Sequence, residues 1–271
     1  MKILFIGGGN MASAMIGGLI ARGESASEIG VVELNPETRQ AIAGRFNIEV
    51  FAELTATAGH PQAIVLAVKP QQMKEVAGQL RDHLSAQLII SIAAGIRLAD
   101  LSRWLGGYQK LVRAMPNTPA LVRAGVTGLF SMTAVDTTAR KLTEGIMTAV
   151  GSCFWVPEEP MMDAVTAVSG SGPAYVFYFM EALERGALQA GFDAASARQM
   201  ALDTVSGAAR LAADGGESFA LLRQRVTSKG GTTEAALNAM NACGVGEGIV
   251  KGMQAAEARG RELGDLLGRD S

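Results

Sequence analysis

Over the first 157 residues, apolar side chains come in short runs broken by polar, glycine or proline positions. Lys2–Ile6, Ile29–Glu33, Ile48–Val50, Ala63–Val68, Leu88–Ile92, Lys110–Ala114, Val126–Phe130 and Ser152–Val156 have the length and branched or aromatic character of strands. Ala63–Val68 is apolar throughout, as a strand covered on both faces of a parallel sheet must be. Between the runs the period changes to that of a helix. Met11, Met15, Leu19 and Ile20 fall on one face, and further helices are expected at 71–80 and 136–150, with Pro36 opening another. From Glu158 the strand signal stops. Helices are expected over 173–190, 193–213, 219–225, 233–242 and 246–267, with Gly191 and Asp193 as the stop and N-cap between the first two. The pattern predicts an α/β domain with a parallel sheet over residues 1–157, then an all-α domain over 158–271.

The first strand ends at Gly7-Gly8-Gly9 and a helix follows at once. Gly7-x-Gly9-x-x-Ala12 is the fingerprint of a dinucleotide turn: one glycine for the turn, one for close approach of a pyrophosphate, and a small residue where helix meets strand. The helix start adds free N–H groups and partial positive charge. Glu33, 24 residues after Gly9, stands about where an acidic side chain takes the adenosine ribose 2′-hydroxyl of NAD. Asn35 and Arg39 follow closely and could instead receive a 2′-phosphate; a solvated strand end is the third reading. Ligands of such sheets lie beyond the carboxyl ends of the strands, so Ala67, Val68, Lys69 and Pro70 should border the cofactor.

Composition narrows the partners. A net charge of −2 gives no electrostatic case for nucleic acid or an anionic membrane, and no apolar run reaches the roughly 18 residues that cross a bilayer. Two cysteines, Cys153 and Cys243, and two histidines, His60 and His83, form no metal-binding spacing, so no metal is expected. A soluble, unprocessed, cytoplasmic protein is the expectation. With 48% hydrophobic and 18% charged residues, surface buried between subunits is also expected.

Two further stretches carry candidate chemistry. Met115-Pro116-Asn117-Thr118-Pro119 should be a rigid, non-helical turn able to hold Asn117 and Thr118 toward a ligand, and Val168–Pro173 a corner between helices. Thr227-Ser-Lys-Gly-Gly-Thr-Thr-Glu234 places two glycines and several hydroxyls before a helix, an anion pocket suited to a carboxylate; the alternative is plain capping by Thr232 or Thr233 with Glu234. Acid–base equipment is thin. Both histidines sit in polar stretches, and Ser169 and Ser171 lack a nucleophile setting. A nicotinamide site with so little acid–base machinery suits a substrate that is already electrophilic, such as a protonated imine.

Six segments, Phe5–Ala12, Ala67–Pro70, Ser91–Gly95, Arg113–Pro119, Ser169–Tyr175 and Ser228–Thr233, run in order through about 230 residues and together resemble the pyrroline-5-carboxylate reductase family. The resemblance implies a Rossmann-like N-terminal domain and a helical C-terminal domain that forms homodimers and often higher oligomers. It implies reduction of L-1-pyrroline-5-carboxylate to L-proline, the last step of proline biosynthesis, by NADPH or NADH. Ile6, Gly7, Gly9, Asn10, Met11 and Ala12 would then hold the pyrophosphate and Asn35 would lie near the adenosine ribose. Ala67, Val68, Lys69 and Pro70 with Ala93, Ala94 and Gly95 would flank ribose and nicotinamide, with Asn117 also on the cofactor side. Ser228, Gly231, Thr232 and Thr233 would take the substrate carboxylate, the Thr233 hydroxyl lying near the ring nitrogen as the catalytic group. Lys229 departs from the proline usual in that loop.

Hydroxyacid dehydrogenases of related architecture carry a Lys and, one turn later, an Asn in the helix after a Gly-Ser-Gly turn. Val176 and Met180 occupy those places, which argues against alcohol oxidation. A non-catalytic dinucleotide sensor would leave the 227–234 stretch unexplained.

Overall fold

A computed structural model describes residues 3–54 and 61–269; His60 lies outside them. Two compact units emerge. One runs through Ser171 and takes in the chain from Ala255 onward; the other is Gly172–Gln254.

The first unit is built on an eight-stranded sheet: β1 (Ile3–Ile6), β2 (Ile29–Val32), β3 (Glu49–Phe51), β4 (Ala63–Leu66), β5 (Leu88–Ser91), β6 (Leu111–Met115), β7 (Gly125–Ser131) and β8 (Gly151–Trp155). Their order is β3-β2-β1-β4-β5-β6-β7-β8. All neighbours are parallel except β6 and β7, which run antiparallel. The chain first builds outward from β1 through β2 to β3, then returns to the other side of β1 with β4. That reversal opens a crevice at the carboxyl ends of β1 and β4.

Period-two alternation decides which residues face which layer. Phe5, Val31, Val65 and Ile90 join Met15 and Ile16 of α1 (Asn10–Ala21) and Ile146 of α5 (Thr137–Met147) in one core. Leu4, Ile6, Ile64, Leu66 and Ile89 face the other, with Met73 and Ala77 of α3 (Met73–Leu80) and Leu101 of α4 (Leu98–Trp104). Because helices cover both faces, β1, β4 and β5 are buried at every position, each large side chain contributing about 1.5–3 kcal/mol. α2 (Pro36–Phe46) opens with Asn35 as N-cap, its Oδ1 accepting from Thr38 N at 2.9 Å.

Several local expectations need correction. Pro116 and Pro119 do not keep the chain from turning helically: a 3-10 helix covers Thr118–Val122, and Pro119 sits in its first turn, where its missing N–H costs nothing. The 71–80 helix is a 3-10 turn, Pro70–Gln72, followed by α3. Helix α4 has no counterpart among the predicted elements, because only seven residues long it shows barely two turns of periodicity. In the Val168–Pro173 stretch, α6 (Met161–Val165) passes into a π-helical turn over Thr166–Gly170, and a bend follows at Ser171.

The second unit holds α7 (Gly172–Gln189), α8 (Ala194–Gly215), α9 (Phe219–Arg225), α10 (Thr232–Ala242) and the first part of α11 (Val245–Leu267). Asp193 caps α8, accepting from Ser196 N at 2.9 Å and from the Ser196 hydroxyl at 2.8 Å. These helices bury little: α7, α9 and α10 have no buried residue, and α8 has only Ala197 and Ala201. No helix among the described residues is long and apolar enough to cross a membrane.

Candidate active site

A cleft of about 550 Å3 opens in the sheet unit at the reversal of strand order. It is lined by Ile6 to Gly9 from the β1–α1 turn, Val32 to Asn35 beyond β2, and Ala67 to Lys69 beyond β4. Three consecutive glycines have three different reasons to be glycine. Gly7 has φ +95, in the left-handed region, and a β-carbon there would stand 2.7 Å from the Ala67 carbonyl oxygen. At Gly8 a β-carbon would strike the Ile42 side chain. Gly9 has ordinary extended backbone, φ −64 and ψ −177, and a β-carbon there would meet nothing within 4 Å. Protein packing therefore does not require a glycine at position 9, whereas a ligand lying against the backbone would.

Gly9 is also the N-cap of α1. No side chain caps this helix and no acidic residue stands in its first turn. Its leading N–H groups and the positive end of its dipole are left for an anion. Asn10, Met11 and Ala12 form this first turn, with Ala12 1% exposed against the sheet, so the small residue serves strand–helix contact as expected. The open space at Gly9, the uncapped helix start and the cleft at the strand ends fit a dinucleotide pyrophosphate.

Beyond β2 the polar groups bond to one another and to the backbone. Glu33 Oε2 accepts from Gly8 N and Oε1 from Asn35 N, each at 2.8 Å. Asn35 Oδ1 is used by the helix cap. Arg39 Nη1 donates to the carbonyls of Glu33, at 2.8 Å, and Leu34, at 2.9 Å. Lys69 is exposed at the opposite wall, and Pro70 starts the 3-10 turn just behind it.

Other residues with a predicted cofactor role lie away from the cleft lining. Ala93 is buried, Ala94 is exposed, and Gly95 has φ +78 with Leu267 3.2 Å from the place of a β-carbon, so local packing by itself demands that glycine. Asn117 is buried and works inside the fold: its Nδ2 donates to Ser169 O at 3.0 Å and its Oδ1 accepts from Val126 N at 2.9 Å. It thereby ties the β6 exit and the start of β7 to the π-helical turn. Behind it, Arg113, 4% exposed, pairs with Glu159 at 3.3 Å and Asp163 at 3.2 Å, and Glu159 also accepts from Leu98 N at 2.7 Å.

In the helical unit, Ser228 to Gly231 form a turn closed by Gly231 N donating to Ser228 O at 3.0 Å, with Gly230 at φ +73. The first bond of α10 is Ala235 N to Gly231 O, so the amides of Thr232, Thr233 and Glu234 point out of its first turn. The N-cap is Gly231 rather than Thr232 or Thr233, and no side chain caps it. Glu234 reaches back to Gly230 N at 2.7 Å, and Lys229 is exposed.

Sequence reasoning did not pick out Thr38, Leu54, Gln72, Val76 and Gln79, which also line the cleft. The only signal available was helical: Gln72, Val76 and Gln79 follow Lys69-Pro70 at three- and four-residue spacing. Nor did it show that Arg113, Glu159 and Asp163 form an ionic cluster, since a strand residue and partners 46 and 50 residues away leave no local pattern.

Residues 159–263 match the family model for pyrroline-5-carboxylate reductase dimerisation, and residues 2–95 that for NADP oxidoreductase, coenzyme F420-dependent. Among curated relatives, a pyrroline-5-carboxylate reductase of Pseudomonas aeruginosa is 42% identical over 269 residues, 99% of this chain and 98% of its own. The Escherichia coli enzyme of the same name is 37% identical over 269 residues, 97% of this chain and 98% of its own. Among solved structures, a pyrroline-5-carboxylate reductase from Coxiella burnetii superposes with a TM-score of 0.92 at 42% identity, covering 97% of this chain and 98% of that one. A Plasmodium falciparum pyrroline carboxylate reductase with NADP bound gives a TM-score of 0.87 at 26% identity, covering 97% and 98%. With the cleft at the glycine turn, the helical second unit and full-length similarity on both halves, the chain belongs to the pyrroline-5-carboxylate reductase family.

Proposed function

We propose that the protein reduces L-1-pyrroline-5-carboxylate to L-proline, the last step of proline biosynthesis, as an NAD(P)H-dependent oxidoreductase. The reading is carried by the start of α10, where a turn with two glycines leaves three amides facing outward under a helix dipole. Ser228, Gly231, Thr232 and Thr233 bind the substrate carboxylate there, and the Thr233 hydroxyl hydrogen-bonds the ring nitrogen. The β1–α1 turn from Ile6 to Ala12 binds the pyrophosphate, Asn35 lies at the adenosine ribose, Ala67 to Pro70 and Ala93 to Gly95 serve the cofactor side, and Asn117 braces the β6 exit. The bound reduced nicotinamide supplies the hydride. A protonated imine accepts it at carbon without a strong acid, which agrees with the absence of any histidine among these residues.

Residues 1–157 act as the dinucleotide-binding domain and 158–271 as the substrate and dimerisation domain, a division supported by the family match beginning at residue 159. The protein works in the cytoplasm as a homodimer formed through α7 to α11, a pairing supported by their exposed apolar side chains, with dimers assembling further. Titrating the purified protein with pyrroline-5-carboxylate while following nicotinamide absorbance tests the reading: turnover is expected with this imine and none with 2-keto acids. Thr233→Ala should lower kcat/KM about tenfold while the Kd for NADH and NADPH stays put. Equal loss of dinucleotide binding would remove the 227–234 loop from the substrate role.

A further inference from the structure

Glu33 is held on three counts. Its backbone N–H donates to Phe51 O at 2.9 Å and holds the strand end, while Oε2 accepts from Gly8 N and Oε1 from Asn35 N, which hold the carboxylate against the glycine turn at the wall of the cleft. A carboxylate has about four acceptor sites. Each oxygen therefore keeps room for one more donor, and a ribose 2′,3′-diol offers two hydroxyls.

Among the described residues, the cleft lining beside Glu33 offers a 2′-phosphate no cation. Such a group carries close to two negative charges and would lie against a carboxylate held by two backbone amides. Leu34, the next residue, is 73% exposed and apolar. Asn35 Oδ1 is committed to the α2 cap, and Arg39, outside the cleft lining, turns its Nη1 to the carbonyls of Glu33 and Leu34. Lys69, the one cation among the described residues of the lining, stands beyond β4, on the far side of β1 from Glu33.

We infer that Glu33 makes this enzyme select NADH over NADPH: its clamped carboxylate accepts from the adenosine ribose diol and repels a 2′-phosphate. The inference rests on the reading of the cleft as the dinucleotide site. It decides between the ribose-hydroxyl reading of Glu33 and the 2′-phosphate reading of Asn35 and Arg39, which the sequence leaves open.

The test is a pair of fluorescence titrations of the purified protein with NADH and NADPH in the absence of substrate. They are followed by kcat/KM for each on pyrroline-5-carboxylate. NADH should bind about tenfold or more tightly, the size of one charge-assisted hydrogen bond, and the kcat/KM ratio should follow. Glu33→Gln keeps the shape and removes the charge, and should bring the two affinities to within roughly threefold. Adding Leu34→Arg should invert the preference. Equal or tighter binding of NADPH by the unaltered protein overturns the inference and leaves the cleft assignment standing, and so does a ratio unmoved by Glu33→Gln. Failure of both dinucleotides to bind overturns the cleft assignment, and the inference with it.

Discussion

The sheet unit and the helical unit treat their apolar residues in opposite ways. In the first, Phe5, Met15, Ile16, Leu66, Met73, Ile89 and Ile90 are fully enclosed by the unit's own elements. In the second, Val176, Phe177, Tyr178 and Phe179 of α7, Leu202 and Leu211 of α8 and Ile249 and Val250 of α11 are all exposed. A parallel sheet covered by helices satisfies itself. A small set of helices with almost nothing buried does not, and its composition makes sense only if another surface covers it. The lesson is that a high apolar content means two things in one chain: a finished core in one unit and an interface in the other.

The comparison breaks most severely at the helical unit. Phe177→Glu together with Leu211→Glu should convert the dimer to monomer in sedimentation velocity and cut proline formation by about a hundredfold or more, with dinucleotide affinity preserved. A double variant that sediments and turns over like the parent would deny the interface. In the sheet unit the corresponding weak point is ionic. Arg113→Met leaves Glu159 and Asp163 facing each other without their cation, and should lower unfolding free energy by about 3–5 kcal/mol in urea denaturation. Unchanged stability would mean that solvent already screens this pair of carboxylates.

Gly9→Val separates binding from folding. Because its β-carbon meets nothing within 4 Å, thermal stability should hold while the Kd for both dinucleotides rises about a hundredfold, as seen by titration calorimetry. A folding defect instead would show that packing, not ligand, sets the glycine. The smallest effect is expected at Asp193. The backbone N–H of Ser196 first, then its hydroxyl, hold this carboxyl below its ordinary value of 3.8. Its folded value is depressed, so its contribution to α8 is present above the unfolded value and fades as pH falls through the folded one. Asp193→Ala should therefore be slightly less stable than the parent near neutral pH and equal to it in strong acid; a deficit that persists in acid would rule out the charged cap as its source.

Much was legible in the chain because it depends on short-range rules. All eight strands are announced by their apolar runs, and α2 is announced by Asn35-Pro36, a cap followed by proline at N1. The glycine turn could be read because backbone conformation and close approach restrict which residues fit there. The reading was weakest where partners are distant in sequence. It could not say that Asn117 spends its amide on Ser169 and Val126, that Gly95 answers to Leu267, or that β7 turns antiparallel to β6.

What the sequence alone determined was the alternation of strand and helix, the anion-ready turn at Gly7 to Ala12 and the change to helices after Glu158. Each follows from periodicity and backbone sterics within a dozen residues. Only the tertiary structure decided that β4 returns beside β1 to open the cleft, and that Glu33 is clamped by Gly8 and Asn35 rather than left in water. It also decided that Arg113 meets its two carboxylates. These outcomes depend on which distant segments share a neighbourhood, and that is set by the summed packing of the whole fold rather than by any local preference.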